Sequence, residues 1–161
     1  MRKLTLVILF SAVLAASAAL VAQNNRQTPA AHMGGNHNIT TPESLKWQPL
    51  AGPALMAVVS GDPSKPGPYV IRIKSPDGFR IPPHWHPQDE HITVLSGTFR
   101  VGMGEKFDES ALRDLPTGSF AFMPREMRHF ATSRGDVIVQ VHGMGPFQVI
   151  YVNPADDPNK K

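Results

Sequence analysis

From residue 54 onward the chain is a succession of short apolar runs broken by Gly, Pro, Asp and Ser, and apolar residues almost never recur at helical spacing. Between residues 69 and 74, Tyr69, Ile71 and Ile73 alternate with Arg72 and Lys74. That is the period-two pattern of a strand with one face buried. The same reading predicts strands at 55–60, 91–95, 98–103, 119–123, 129–132, 137–141 and 147–152, with a tight turn at Ser96 and Gly97 between the second and third of these. Only residues 108–115 read as helical, for two turns at most. Many short strands separated by turn residues predict an all-β antiparallel sandwich or barrel with little helix, enclosing an apolar pocket with a wide mouth. Phe99, Phe120, Phe122 and Phe130 are assigned to its core.

The flanks follow other patterns. Arg2 and Lys3 precede an apolar run over 4–14, and Ala16, Ser17 and Ala18 then offer a small-residue cleavage site. This is the layout of a secretory signal peptide, assigned to residues 1–22. The run is shorter than the ~20 residues a membrane span requires, so the expectation is a periplasmic or secreted protein with no stable membrane anchor after cleavage. Residues 23–53 are polar and lack periodicity, which predicts a flexible linker or N-terminal arm. The barrel domain is assigned to 54–153 and a polar tail to 154–161.

Composition narrows the classes. The signal segment holds two of the 16 Lys and Arg and none of the 13 Asp and Glu, so its removal lowers the formal charge from +3 to about +1. There is no basic run interleaved with aromatics, the minimum electrostatic footprint of a nucleic-acid binder. The absence of Cys removes disulfides, thiolate nucleophiles and Cys-type zinc sites together. Pro, at 16 residues, is about twice its usual frequency and punctuates the strands.

The candidate chemistry is concentrated between Gly78 and Gly97. His84 and His86 are two residues apart, so an extended chain presents both imidazoles on one face, and Glu90 lies an even number of residues further on. With one more ligand from elsewhere, such a set suits Fe, Mn, Ni, Cu or Zn better than Ca or Mg.

Gly78, His84, His86, Glu90 and Gly97 meet every fixed position of the pattern G-x5-H-x-H-x3,4-E-x6-G. On these residues the chain resembles a single-domain cupin, the metal-binding small β-barrel superfamily with a cupin-type double-stranded β-helix or jelly-roll barrel. The family's second pattern, G-x5-P-x-G-x2-H-x3-N, is met by Gly118, Pro124 and His129, while Glu126 replaces its middle Gly and Ser133 its Asn. Loss of that Gly predicts a turn that does not rely on a positive φ. The resemblance implies one divalent metal held by His84, His86, Glu90 and His129. It also implies a homodimer paired through sheet edges and N-terminal arms.

Other residues carry weaker signals. Arg72 and Arg100 lie on strands, where inward guanidinium groups would hold a carboxylate substrate; outward, solvated arginines are the simpler reading. Glu126 is a candidate catalytic base at the pocket mouth, against the simpler reading of a solvated loop residue. His91 follows Glu90 and is turned to the opposite face, toward packing or an interface. His142 is read as a residue orienting a ligand, or as an ordinary hydrogen-bonded histidine, and Trp85 as facing away from the metal. The expected function is a secreted metal-binding cupin, namely a divalent-metal-dependent enzyme of oxygenase (dioxygenase-like oxidoreductase) or decarboxylase type acting on a small oxygenated molecule. The alternative is a non-catalytic cupin that binds a small ligand or sequesters metal.

Overall fold

The computed structural model describes residues 37–160, so the signal-peptide reading and most of the assigned linker lie outside the described residues. The nine strands of the described residues belong to a compact unit that begins at Ile39. In chain order they are β1 (Gln48–Ala51), β2 (Ala54–Ser60), β3 (Gly67–Ser75), β4 (Arg80–Trp85), β5 (Glu90–Met103), β6 (Arg113–Pro116), β7 (Phe120–Met123), β8 (His129–Gly145) and β9 (Ile150–Tyr151). Every pairing is antiparallel. One path runs β1-β2-β3-β8-β4-β9, and β5 joins it by pairing with β6, β7 and β8. The curled antiparallel sheet is a jelly-roll barrel with little helix, as the resemblance implies.

Two long strands organise this sheet. β5 and β8 run side by side from Glu90 opposite Gly143 to Met103 opposite His129. Residues 91–95 and 98–103 are therefore one strand, and the expected hairpin at Gly97 is a bend within it. The register slips on both sides of Ser96, and Gly97 has φ +76°, with Gly135 across the pair at φ +70°. A side chain at Gly97 would bring its Cβ to 2.3 Å from the Asp136 carbonyl oxygen, so close approach of the two bent backbones requires glycine. The bend lets one half of β8 face β3 while the other half pairs with β4.

Two further expectations change. Residues 108–115 form a single 3-10 turn, Glu109–Ala111, capped by the Asp108 carboxylate accepting from the Ser110 N–H at 2.8 Å, followed by β6. Competition from this local side-chain bond favours a turn over a helix. β1 lies in the stretch read as linker, and pairs with β2 from Gln48 opposite Met56.

The inward faces of β3, β5 and β8 supply the core, including Ile71, Ile92, Val94, Val101, Val139 and Val141. Phe99 joins it, and Phe130 is fully buried against Phe107, with ring centroids 4.9 Å apart, and against Gly102. Phe120 and Phe122 do not: they are 57% and 47% exposed, because β7 shows their face to the outside of the sheet.

Candidate metal centre

His84, His86 and His129 converge from two neighbouring strands and the turn after one of them. His84 on β4 is the direct cross-strand partner of His129 at the start of β8, and their ring centroids are 4.2 Å apart. His86 follows β4 and sets its ring edge-on to His84 at 5.0 Å. The candidate ligand atoms of the three imidazoles lie within 4.8 Å of one another. Glu90 opens β5 and brings Oε2 to 3.4 Å from His86 Nε2 and 3.5 Å from His129 Nε2. All four side chains are buried, between 2% and 6% exposed.

Backbone carbonyls aim the rings. His84 Nδ1 lies 2.7 Å from the Pro82 oxygen, His86 Nδ1 2.7 Å from that of Gln148, and His129 Nδ1 3.0 Å from that of Met127. A carbonyl only accepts, so each Nδ1 carries the proton and donates. In the neutral rings each Nε2 then presents its lone pair. Neither His86 Nε2 nor Glu90 Oε2 has a hydrogen-bond partner, although both are buried. Unpartnered polar atoms in a dry site are costly, and a cation between them would satisfy both. The donor set, three imidazoles and one carboxylate, suits a transition metal.

The electrostatics keep these groups ready as ligands. Burial, with the neighbouring His129 and His86, pushes His84 down to about 3, so it is neutral at physiological pH. Burial works against ionisation of Glu90, but the attraction of His129 and His86 outweighs it and holds the carboxyl below the usual carboxylate range. The reciprocal effect on His86 is that burial disfavours its charged form while Glu90 raises its pKa overall. Without a metal, His86 and Glu90 are thus drawn toward an ion pair, whose proton a metal would displace.

The four residues line a cavity of about 410 Å³, whose lining also includes the partly exposed Leu50, Val149 and Asp156. Phe147 stacks on His86 at 5.4 Å, and Tyr151 on β9, opposite His84 in the sheet, sits 6.1 Å from it between ring centroids. Sequence reasoning singled out neither Tyr151 nor Phe147. Alternation within 147–152 separates odd from even positions, but without the pairing of β9 with β4 it leaves open which set turns toward the histidines.

Other candidates are placed elsewhere. Arg72 and Arg100 do not reach the cavity, because their strand neighbours Ile73 and Phe99 take the inward face. Arg72 instead bonds Gln140 at 3.2 Å and Arg100 bonds Asp114 at 2.9 Å. The Glu126 side chain is exposed and outside the cavity lining, and its backbone matters more. Glu126 adopts φ +63°, so the turn keeps the positive φ of the family pattern despite losing its glycine, contrary to the expected change of turn. Ser133, in the place of the pattern's Asn, shares a 2.6 Å hydroxyl–hydroxyl bond with Ser75. His91 and His142 stack on the outer face at 4.7 Å, so His142 orients no ligand. Trp85 faces away from the site, under the Arg128 guanidinium at 5.4 Å.

Solved structures share this architecture. The polyketide cyclase RemF from Streptomyces resistomycificus aligns with TM-score 0.62 at 17% identity, over 77% of this chain and 91% of its own. The DMSP lyase DddQ from Ruegeria pomeroyi aligns with TM-score 0.55 at 18% identity, over 68% and 61%. A chain of the Rhodobacter sphaeroides complex of SigE with the anti-sigma ChrR aligns with TM-score 0.51 at 21% identity, over 64% and 51%. At these identities the likeness is one of fold. No curated protein matches the sequence significantly. The family description of the ChrR cupin-like domain matches residues 36–148, which span most of the chain and all of the candidate site, and this protein is a member of that family.

Proposed function

We propose that this protein is an exported, metal-dependent cupin enzyme of oxygenase or decarboxylase type that acts on a small oxygenated molecule. The observation that carries the reading is the set of three Nδ1-to-carbonyl bonds, which orient three imidazoles beside the Glu90 carboxylate in the lining of a cavity. His84, His86, His129 and Glu90 would hold one divalent ion (Fe, Mn, Ni, Cu or Zn). When bound there, the group would supply Lewis-acid or, if redox-active, oxidative chemistry. The chain's own contribution is to orient the ligands and to keep water from the apolar wall. RemF and DddQ, a cyclase and a lyase, illustrate that chains of this fold carry catalysis, without lending either reaction to this one.

A second reading, a non-catalytic cupin that binds a ligand or sequesters metal, is favoured by the position of Glu126 outside the cavity, which leaves no assigned general base. Elemental analysis of protein purified without chelators tests both readings: about one transition-metal ion per chain supports them, and under about a tenth sinks them. Oxygen uptake and carbon dioxide release by each metal-loaded form then separate enzyme from binder. Export rests on the 1–22 segment, and cell fractionation tests it. Homodimerisation is supported by the exposed Phe120, Phe122 and Met144, and light scattering decides it.

A further inference from the structure

The cavity is chemically lopsided. Of the 24 residues that line it, 15 are Ala, Val, Leu, Ile, Pro or Phe, and their side chains offer neither charge nor hydrogen bond. His84, His86, Glu90 and His129 stand together in this lining, with Tyr151 beside His84, and Ser75, Arg80 and Asp156 are its other polar side chains. Burial, together with Asp157 and Asp156, raises the Tyr151 pKa, so its phenol is a hydrogen-bond donor at neutral pH.

Among the described residues, the lining holds one cationic side chain, and it is paired. Arg80, the one arginine in the lining, is paired with Glu109 and lies over the Phe107 ring at 4.7 Å. Arg72 and Arg100 are bonded to Gln140 and Asp114 outside the cavity. A divalent ion on three neutral imidazoles and one carboxylate leaves the centre with a single net positive charge. One anionic oxygen neutralises it, whereas a dicarboxylate or a phosphate carries a second charge into a largely apolar space whose one lining cation, Arg80, is already paired and whose other charged side chain besides Glu90 is the Asp156 carboxylate.

We propose that the cavity takes a neutral or singly anionic oxygen chelator, such as an enol or a phenol with an adjacent carbonyl, carried on an apolar ring or chain, and rejects small dicarboxylates and phosphorylated ligands. This ligand class rests on the metal-centre reading above for its polar end only. The apolar end rests on the wall. A volume of about 410 Å³ lies within the range of pockets that enclose small organic ligands and exceeds what a two-carbon acid fills.

The test uses the mature chain loaded with Co(II), with metal content measured before and after each titration. Calorimetry with acetohydroxamate, benzohydroxamate and 2-naphthohydroxamate is compared with oxalate and malonate. The dissociation constant is expected to fall at least about tenfold from the acetyl to the naphthyl ligand, with neither diacid binding more tightly than acetohydroxamate. Equal affinity across the hydroxamates, or tighter binding of a diacid, overturns the proposal. Val149→Trp and Leu50→Trp add bulk to the apolar lining at positions that are already partly exposed. Each should abolish the naphthyl advantage while leaving acetohydroxamate affinity and metal content unchanged; an unchanged naphthyl advantage in both variants also overturns it. Retention of no Co(II) defeats the metal reading, and the wall is then judged by 2-naphthol fluorescence in the metal-free chain. Binding that Val149→Trp removes upholds the apolar end, and no binding overturns it.

Discussion

The backbone N–H of Glu126 donates to the carbonyl oxygen of His86 at 2.8 Å, from a residue held at φ +63°. This bond ties the turn before His129 to the segment that carries His86, so two candidate ligands share one backbone clasp. An L residue in the left-handed region costs about 1–2 kcal/mol, and a glycine there gives back about 0.5–1 kcal/mol through its freer unfolded chain. Glu126→Gly should therefore raise stability by roughly 0.5–1 kcal/mol. Because the side chain is outside the cavity, metal content should not change. Denaturant midpoints at unchanged m-value, with elemental analysis, check this; a large fall in metal content would return Glu126 to the site.

Glu90 joins stability to ligand capacity. Its Oε2 is buried without a hydrogen-bond partner, and two candidate ligand nitrogens lie within 3.5 Å. Glu90→Gln keeps the shape but removes the anion. The metal-free variant should be less stable than the parent near neutral pH, because the ionised carboxylate that His86 and His129 attract is lost and the buried pair is broken, and metal affinity should fall at least about tenfold. Thermal melts with and without chelator measure both. Equal melting points in the presence of metal, together with equal affinity, would remove Glu90 from the ligand set.

His86→Ala removes an imidazole whose Nδ1 is anchored to the Gln148 carbonyl and whose Nε2 faces Glu90. It should abolish metal retention through gel filtration. A full equivalent retained by the variant would show that His84 and His129 work with a different third residue.

How far the sequence could be read depended on the range of each signal. Strand alternation is local, so the inward faces of β3 and β5 and the clustering of His84, His86 and Glu90 were legible from a few residues each. The membership of His129 came from a pattern of spacing, and the structure seats it opposite His84. What escaped was set by distant partners. Gly97 looks like a hairpin turn because a glycine between two apolar runs usually is one, and only the presence of β8 alongside keeps the strand going. Phe120 and Phe122 look like core because their cross-strand partners, Thr93 and His91, are not visible in sequence. Arg72 and Arg100 depended on which face of a strand turns inward, and their bonds to Gln140 and Asp114 are tertiary.

Acid should unfold the metal-free protein through a identifiable group. His84 is held at about 3 in the folded state, below its ordinary value of 6.5. The unfolded chain then binds the proton first as pH falls, so the His84 contribution is intact above about 6.5 and is lost progressively down to about 3. The lowered pKa of Glu90 has the same sign, with its stabilisation lost further into acid. His86, raised, has the opposite sign: its contribution is present below 6.5 and fades as pH rises through its folded value. Denaturant melts from pH 3 to 8 should therefore show a flatter acid limb for His84→Gln than for the parent. Parallel limbs would mean that His84 does not set the acid sensitivity.

Two glycines with nearly the same φ separate backbone conformation from close approach. Gly78 sits at φ +71° with nothing within 4 Å of an added Cβ, and Gly97 at φ +76° would place that Cβ 2.3 Å from the Asp136 carbonyl oxygen. Gly78→Ala bears the left-handed penalty alone, about 1 kcal/mol. Gly97→Ala bears the same penalty and must also push apart the bends of β5 and β8, which should cost at least about 2–3 kcal/mol in all. The bend leads from Val94 on one side to Phe99 on the other, and Phe99 lines the cavity. Gly97→Ala should therefore also weaken binding of the naphthyl ligand, while Gly78→Ala should leave it unchanged. Equal losses of stability in the two variants would show that Gly97 serves a local turn, and that the paired bend of the long strands is not what requires glycine there.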